Sequence, residues 1–212
     1  MATNAETRAW LGGFGSATLG ESGARIMAPR IGPAWSGARI AAPAYTVRCT
    51  AGDNLAIHVA VAAAPAGSVL VVDVGELPDY GYWGEVLTTG AQTRGIEGLI
   101  IDGGVRDILA IQTLAFPVFA STIALRGASK GQPGAVDVPI RCGGVALERG
   151  DWVVGDADGV VVVPGEHLDA VIERAAVRTQ NEKTMFEALR GGQSTIELLG
   201  LDTTAVRFGD RA

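Results

Sequence analysis

The sequence predicts an α/β fold with mixed layers, and three observations carry that prediction. Two short β-branched runs, Ser68 to Val74 and Gly98 to Asp102, are apolar almost without interruption, as in strands buried on both faces. Stretches with helical start and stop signals stand between and after them. The second half of the chain breaks into brief apolar runs separated by turn residues. With 212 residues, 48% of them hydrophobic and 19% charged, the chain can bury a sizeable core as one domain, 1–212.

The first expected strand runs from Arg39 to Val47. Asp53-Asn54 then precedes an apolar stretch, Leu55 to Ala64, which reads as a helix with Asp53 as its N-cap. After the strand from Ser68, Gly84 to Arg94 reads as a helix and Gly98 to Asp102 as the next buried strand. A helix from Asp107 to Leu114 and a short strand from Pro117 to Ala120 follow. Gly127 to Gly134 is glycine-rich and reads as an exposed loop. Val138 to Arg141, Gly144 to Leu147, Trp152 to Val154 and Gly159 to Val163 are expected strands, divided by Cys142-Gly143, Arg149-Gly150-Asp151 and Asp156-Ala157-Asp158-Gly159. The closing helix spans about 166–189, with Leu168, Val171, Ile172, Ala175 and Ala176 at helical spacing, and Gly191-Gly192 stops it.

A net charge of −6 and a sequence pI of about 4.9, with both signs scattered, give no phosphate-binding footprint, so no nucleic-acid partner is expected. Cys49 and Cys142 lack CxxC spacing and the N-terminus has no signal-like pattern, which points to reduced thiols in the cytoplasm. No apolar run approaches the about 18 residues of a membrane span, so no membrane association is expected.

Chemistry concentrates at Asp102-Gly103-Gly104-Val105-Arg106-Asp107. The two glycines are expected to turn the backbone tightly at the carboxyl end of an apolar strand, where open α/β sheets place ligands. An arginine fork matches a carboxylate, and the adjacent aspartate can hold a hard cation that the same substrate chelates. The alternative is structural: Asp102 and Asp107 cap the next helix and Arg106 forms a surface ion pair. Read as a site, Arg106 and Asp107 suit a 2-oxo acid, and a second feature favours this, since Gly84-Glu85-Val86-Leu87 opens a helix whose first N–H groups can bind an anion. Tyr80, Tyr82 and Trp83 could wall a distal pocket or pack in the core.

Other chemistries lack residues. The only lysines, Lys130 and Lys183, lie in the glycine-rich loop and on the polar stretch of the last helix, which argues against a desolvated Schiff-base lysine. His58 and His167 have neither HxH nor HExxH spacing and are assigned no role, leaving an oxygen-ligated Mg²⁺ or Mn²⁺ as the expected ion. No serine sits in a GxSxG elbow, and no glycine-rich loop at the right strand–helix junction suggests adenosylmethionine binding.

Taken in order, Gly15-Ser16-Ala17-Thr18, Gly52-Asp53-Asn54, Gly84 to Leu87, Gly103 to Asp107, Gly150-Asp151 and Asp156 to Val160 make the sequence resemble the RraA-like family, which includes class II pyruvate aldolases. Those aldolases act on 4-hydroxy-4-methyl-2-oxoglutarate and 4-carboxy-4-hydroxy-2-oxoadipate. The resemblance implies a swivelling β/β/α fold, trimers or hexamers, and active sites between subunits that pack through the C-terminal helix. It implies that the backbone of Gly84, Glu85, Val86 and Leu87 and the side chain of Arg106 bind the pyruvyl part, that Asp107 holds the metal, and that Glu182 of a neighbour assists. The implied reaction is retro-aldol cleavage through a pyruvate enolate, with oxaloacetate decarboxylation by the same route and Glu85 or Glu182 moving the proton through water. Other members of the family bind and inhibit ribonuclease E, so a protein-binding regulator is the competing expectation, and a lyase for a different 2-oxo acid is a third.

Overall fold

In the computed structural model, which describes residues 3–207 and 209, the uninterrupted apolar runs become strands whose side chains alternate between separate cores. The chain runs α1 (Asn4–Glu21), β1 (Arg25–Ile26), β2 (Gly32–Pro33), β3 (Ile40–Arg48), α2 (Leu55–Ala63), β4 (Val69–Asp73), β5 (Gly81–Trp83) and α3 (Glu85–Thr93). It continues with β6 (Gly98–Val105), α4 (Ile108–Thr113), β7 (Val118–Ile123), β8 (Ala135–Val136), β9 (Ile140–Cys142) and β10 (Val145–Leu147). It closes with β11 (Trp152–Asp156), β12 (Gly159–Val163), a 3-10 turn at Gly165–His167, α5 (Leu168–Arg190) and α6 (Thr195–Leu199).

One ten-stranded mixed sheet has the order β1-β12-β11-β3-β4-β6-β7-β2, with β5 added beside β6 and β8 beside β3, while β9 and β10 form a separate hairpin. The strands β3, β4, β6 and β7 are parallel. Period-two alternation sorts their side chains. Leu70, Val72, Leu99 and Ile101 join the core that also holds Ile57, Val61, Leu87 and Phe116 from the helical layer. Val69, Val71 and Ile100 face a second core with Phe119, Cys142, Val153 and Val162. Val161 and Val163 turn the other way and pack with Leu11 and Leu19 of α1 and Val171 and Ala175 of α5. This is the α/β arrangement of mixed sheets with flanking helices that the sequence predicts.

Several boundaries differ for identifiable reasons. The sequence does not mark the helix α1, because Gly12, Gly13, Gly15 and Gly20 dilute its pattern; a Thr3–Glu6 capping box starts it and Gly15, at φ +79°, kinks it. The strand expected to end at Asp102 continues to Val105, so Gly103 and Gly104 lie inside β6 and do not form a turn. Close packing requires them there. A Cβ on Gly103 would stand 2.8 Å from Val74 Cγ2, and one on Gly104 would collide with the Tyr80 carbonyl and come within 2.7 Å of Ala124 Cβ. A register irregularity between Ile101 and Gly104 accompanies this crowding.

The parallel strands share one carboxyl end, and the segments leaving it carry Asp53-Asn54 after β3, Arg106-Asp107 after β6 and the glycine-rich loop after β7. No described helix is long and apolar enough to cross a membrane.

Because the obstacles at Gly104 include main-chain atoms, Gly104→Ala should lower stability by about 2–3 kcal/mol in urea unfolding. Gly13→Ala, which meets nothing within 4 Å, should be neutral or stabilising by up to about 1 kcal/mol.

Candidate active site

The site begins with an unusual backbone. Asp107 occupies the left-handed region at φ 59°, ψ 37°, a conformation that costs a non-glycine residue about 1 kcal/mol. Three contacts hold the segment there. The Arg106 N–H donates to Trp83 O at 2.9 Å, the Ile111 N–H donates to Asp107 O at 3.0 Å, and the Glu85 N–H donates to Asp107 Oδ2 at 3.1 Å. The last requires glycine at 84, since a Cβ there would land on Asp107 Oδ2.

These bonds bear on the capping role that the sequence also allows. Asp107 stands at the N-cap position of α4, yet its side chain makes no capping bond. It crosses to α3 instead. Arg106 Nε lies 3.8 Å from Asp107 Oδ2 with both side chains more than two-fifths exposed, a pairing worth little in water. Asp102 caps nothing: Arg30 grips it through two bonds of 2.9 and 2.6 Å, and Gly143 N–H adds a third. Burial would raise the Asp102 pKa, but these bonds outweigh it and hold the carboxyl below its ordinary range.

Arg106 and Asp107 border a cleft of about 200 Å³ together with Gly84, Val86 and Leu87 of the α3 start. The Arg106 stem runs over glycines, for a Cβ on Gly81 would lie 3.1 Å from its Cδ and one on Gly84 3.3 Å from its Cγ. The Glu85 amide is already engaged by Asp107, while Thr88 N–H closes the first helical turn onto Gly84 O. That leaves Val86 and Leu87 as the first-turn amides for an anion. The Glu85 side chain is exposed. Glu182 is elsewhere in this chain: it sits on α5 beside Arg178, whose Nε is 2.9 Å from its Oε1, and borders a different cleft.

Three polar side chains join the cleft that the sequence did not place there: Asn54, His58 and Lys130. Asn54 and His58 are one turn apart at the start of α2, the spacing at which side chains share a helix face; only three-dimensional proximity to β6 reveals their relevance. Burial first, and then the neighbouring Lys130 charge, hold the His58 pKa below its ordinary value against an opposing pull from Asp53. Lys130 reaches the cleft because the glycine-rich loop is tied down. Of the aromatic residues, Tyr82 and Trp83 border the cleft but are buried: Tyr82 OH donates to Leu77 O, and Trp83 Nε1–H donates to Thr88 Oγ1 while its ring stacks on Phe116. Core packing is their role. Tyr80 lies under the Arg126 guanidinium at 4.4 Å.

The anchor of that loop is Asp53, which is not the helix N-cap; Asn54 takes that position. Asp53 is 2% exposed, and its Oδ1 accepts from Leu55 N–H. Its Oδ2 accepts from Ser129 Oγ–H at 2.7 Å, Gly131 N–H at 2.6 Å and Gln132 N–H at 3.0 Å. Burial raises its pKa, but the backbone bonds from Gly131 and Leu55, with those from Ser129 and Gln132, prevail and bring it from 3.8 to about 2.

A single carboxylate at the cleft among the described residues bears on the expected cation. No group of three or more His, Cys, Asp or Glu side chains suited to a metal occurs among the described residues. Magnesium-type ions are nevertheless held by one or two carboxylates, with water and a chelating substrate completing the shell. Asp107 fits that minimal role, since Oδ1 accepts no hydrogen bond among the described residues and the side chain is 43% exposed.

Comparison with known proteins agrees with this architecture. The RraA-like family model, described as Aldolase/RraA, matches residues 16–162. A Halalkalibacterium halodurans protein, provisionally named a 4-hydroxy-4-methyl-2-oxoglutarate aldolase, is 36% identical over 151 residues, 71% of this chain and 72% of that protein. Among solved structures, an uncharacterised Pseudomonas syringae pv. tomato protein superposes with a TM-score of 0.82 at 28% identity, covering 92% of both chains. Streptomyces coelicolor RraAS2, described as an unusual member of the RNase ES inhibitor RraA family, gives a TM-score of 0.75 at 26% identity, covering 87% of this chain and 98% of that one.

Because the folded-state pKa of Asp53 lies below 3.8, its contribution to stability, about 2 kcal/mol, is complete above roughly pH 4 and is lost as the pH falls toward 2. Unfolding midpoints of wild type and Asp53→Asn should therefore differ most at neutral pH and converge in acid.

Proposed function

Since this chain belongs to the RraA-like family, we propose that it is a divalent-metal-dependent aldolase that releases pyruvate from a 4-hydroxy-2-oxo di- or tricarboxylic acid and also decarboxylates oxaloacetate. One observation carries the reading: the left-handed Asp107 turns its carboxylate away from its own helix into a cleft that also presents Arg106 and the first-turn amides of α3. A capping or surface-pair role would not need that geometry.

In this reading the Arg106 guanidinium and the Val86 and Leu87 N–H groups bind the pyruvyl carboxylate, which places the 2-oxo group beside Asp107. Bound at Asp107, Mg²⁺ or Mn²⁺ would supply a Lewis acid for the 2-oxo group. Lys130, a second cation at the cleft, pairs with the distal carboxylate. A carboxylate acting through water, Glu85 of the same chain or Glu182 of a neighbouring copy, takes the proton from the C4 hydroxyl as the C–C bond opens. Lys130 is exposed and lacks the desolvated setting of a Schiff-base nucleophile.

A homotrimer or homohexamer follows from the same reading. Its support is the apolar face that Val177, Met185, Phe186 and Leu189 of α5 present with Leu199 of α6 around a cleft of about 720 Å³, on which Glu182 also lies. The similarity to RraAS2 supports a second reading as a protein-binding regulator, although inhibition alone would give the Asp107 geometry no task. Placement in the cytoplasm remains part of the proposal, supported by two free, buried cysteines.

Pyruvate release from 4-hydroxy-4-methyl-2-oxoglutarate and from oxaloacetate should exceed the metal-only background and stop with EDTA. Asp107→Ala should reduce it at least about 100-fold while leaving the thermal midpoint within a few degrees, and Arg106→Ala should raise KM and lower kcat. Metal-dependent turnover persisting in Asp107→Ala would refute the assignment. Borohydride with pyruvate should neither inactivate the enzyme nor add mass to it, and a trapped lysine adduct would overturn the metal-dependent mechanism.

A further inference from the structure

Around the proposed cleft, Arg106, Lys130 and the α3 amides are the groups that attract negative charge. Its α2 side differs. Asn54 is 5% exposed and its Nδ2 donates to Tyr82 O at 2.8 Å, a carbonyl partner that fixes the amide orientation and makes Oδ1 the unoccupied end. Asn54 Oδ1 and His58 Nε2 are both buried and have no hydrogen-bond partner among the described residues. Leaving such atoms unsatisfied is costly, so a bound group is expected to complete them.

The required chemistry is narrow. Asn54 Oδ1 can only accept, which repels a carboxylate and calls for a donor. His58 Nε2 can donate when the neutral imidazole carries its proton there, and burial, with the Lys130 charge beside it, favours the neutral ring. Side chains one helical turn apart have Cβ atoms about 5–6 Å apart, a span that one oxygen with both a donor and an acceptor function can bridge. An ionised 4-hydroxy-2-oxo acid has one such group, its C4 hydroxyl.

We infer that Asn54 and His58 are specificity-determining residues that read the substrate's hydroxyl, with the hydroxyl donating to Asn54 Oδ1 and accepting from His58 Nε2–H. This rests on the aldolase reading and adds to it the means by which a hydroxylated substrate is distinguished from oxaloacetate. The hydroxyl still turns about its C–O bond, so its proton can pass to water when cleavage begins. A site that hydrogen-bonds a hydroxyl discriminates against ligands lacking one because its own polar atoms are then left unpaired.

The test compares kcat/KM for 4-hydroxy-4-methyl-2-oxoglutarate cleavage with that for oxaloacetate decarboxylation in wild type, Asn54→Ala, His58→Leu and His58→Gln. Asn54→Ala and His58→Leu should each lower the hydroxy-acid value at least about tenfold more than the oxaloacetate value, mainly through KM, and His58→Gln, which restores an N–H donor, should recover part of the difference. Equal losses on both substrates, or no loss on either, would overturn the inference. Should Asn54→Ala fail to fold for want of its bond to Tyr82 O, the two His58 variants decide, because that ring makes no hydrogen bond within the described fold. Wild-type protein that releases no pyruvate from either substrate would instead overturn the aldolase reading, and the inference with it; that outcome is distinguished by wild type alone.

Discussion

The position of the Asp107 carboxylate depends on the absence of a side chain at residue 84. With glycine there, Asp107 Oδ2 reaches the Glu85 amide across the gap between β6 and α3, and that bond helps hold Asp107 in its left-handed conformation. The Arg106 amide is tied to Trp83 in the same crossing. Together they set two consecutive side chains of one strand end against the N-terminus of a neighbouring helix, a place suited to an anion with a cation at its side.

The opposite wall of the cleft depends on Asp53. Its buried carboxylate gathers two loop amides, one hydroxyl and the helix amide at Leu55, fixing the glycine-rich loop against the start of α2. The same loop brings Lys130 to the cleft, and the same helix start brings Asn54 and His58. Asp53 therefore acts on the site by position, without entering it. The wall it supports combines a cation with two polar atoms that lack partners among the described residues, whereas the Arg106 wall presents a guanidinium and helix amides.

Much of this was legible in the sequence. The runs around Val71 and Ile100 announced strands buried on both faces, and the Arg106-Asp107 pair with Gly84 to Leu87 identified the two segments that meet. What could not be read were consequences of packing between distant segments. Gly103 and Gly104 look like turn residues until Val74, Tyr80 and Ala124 crowd them inside β6. Asp53 looks like a cap until the loop 76 to 79 residues away closes on it. His58 lacks any ligand spacing, and its place at the cleft depends on how α2 sits beside the end of β6. The helix α1 was hidden by its own glycines, one of which kinks it.

The central claim is that Asp107 holds a divalent ion to which a 2-oxo acid is recruited, and it can be examined without turnover. Electron paramagnetic resonance of Mn²⁺ titrated into the protein, with and without oxalate as a mimic of the pyruvate enolate, reads binding directly. The account predicts one saturable site per chain, tightened by oxalate and lost in Asp107→Ala. Undiminished Mn²⁺ binding in Asp107→Ala, or no saturable binding in the wild type, would contradict it.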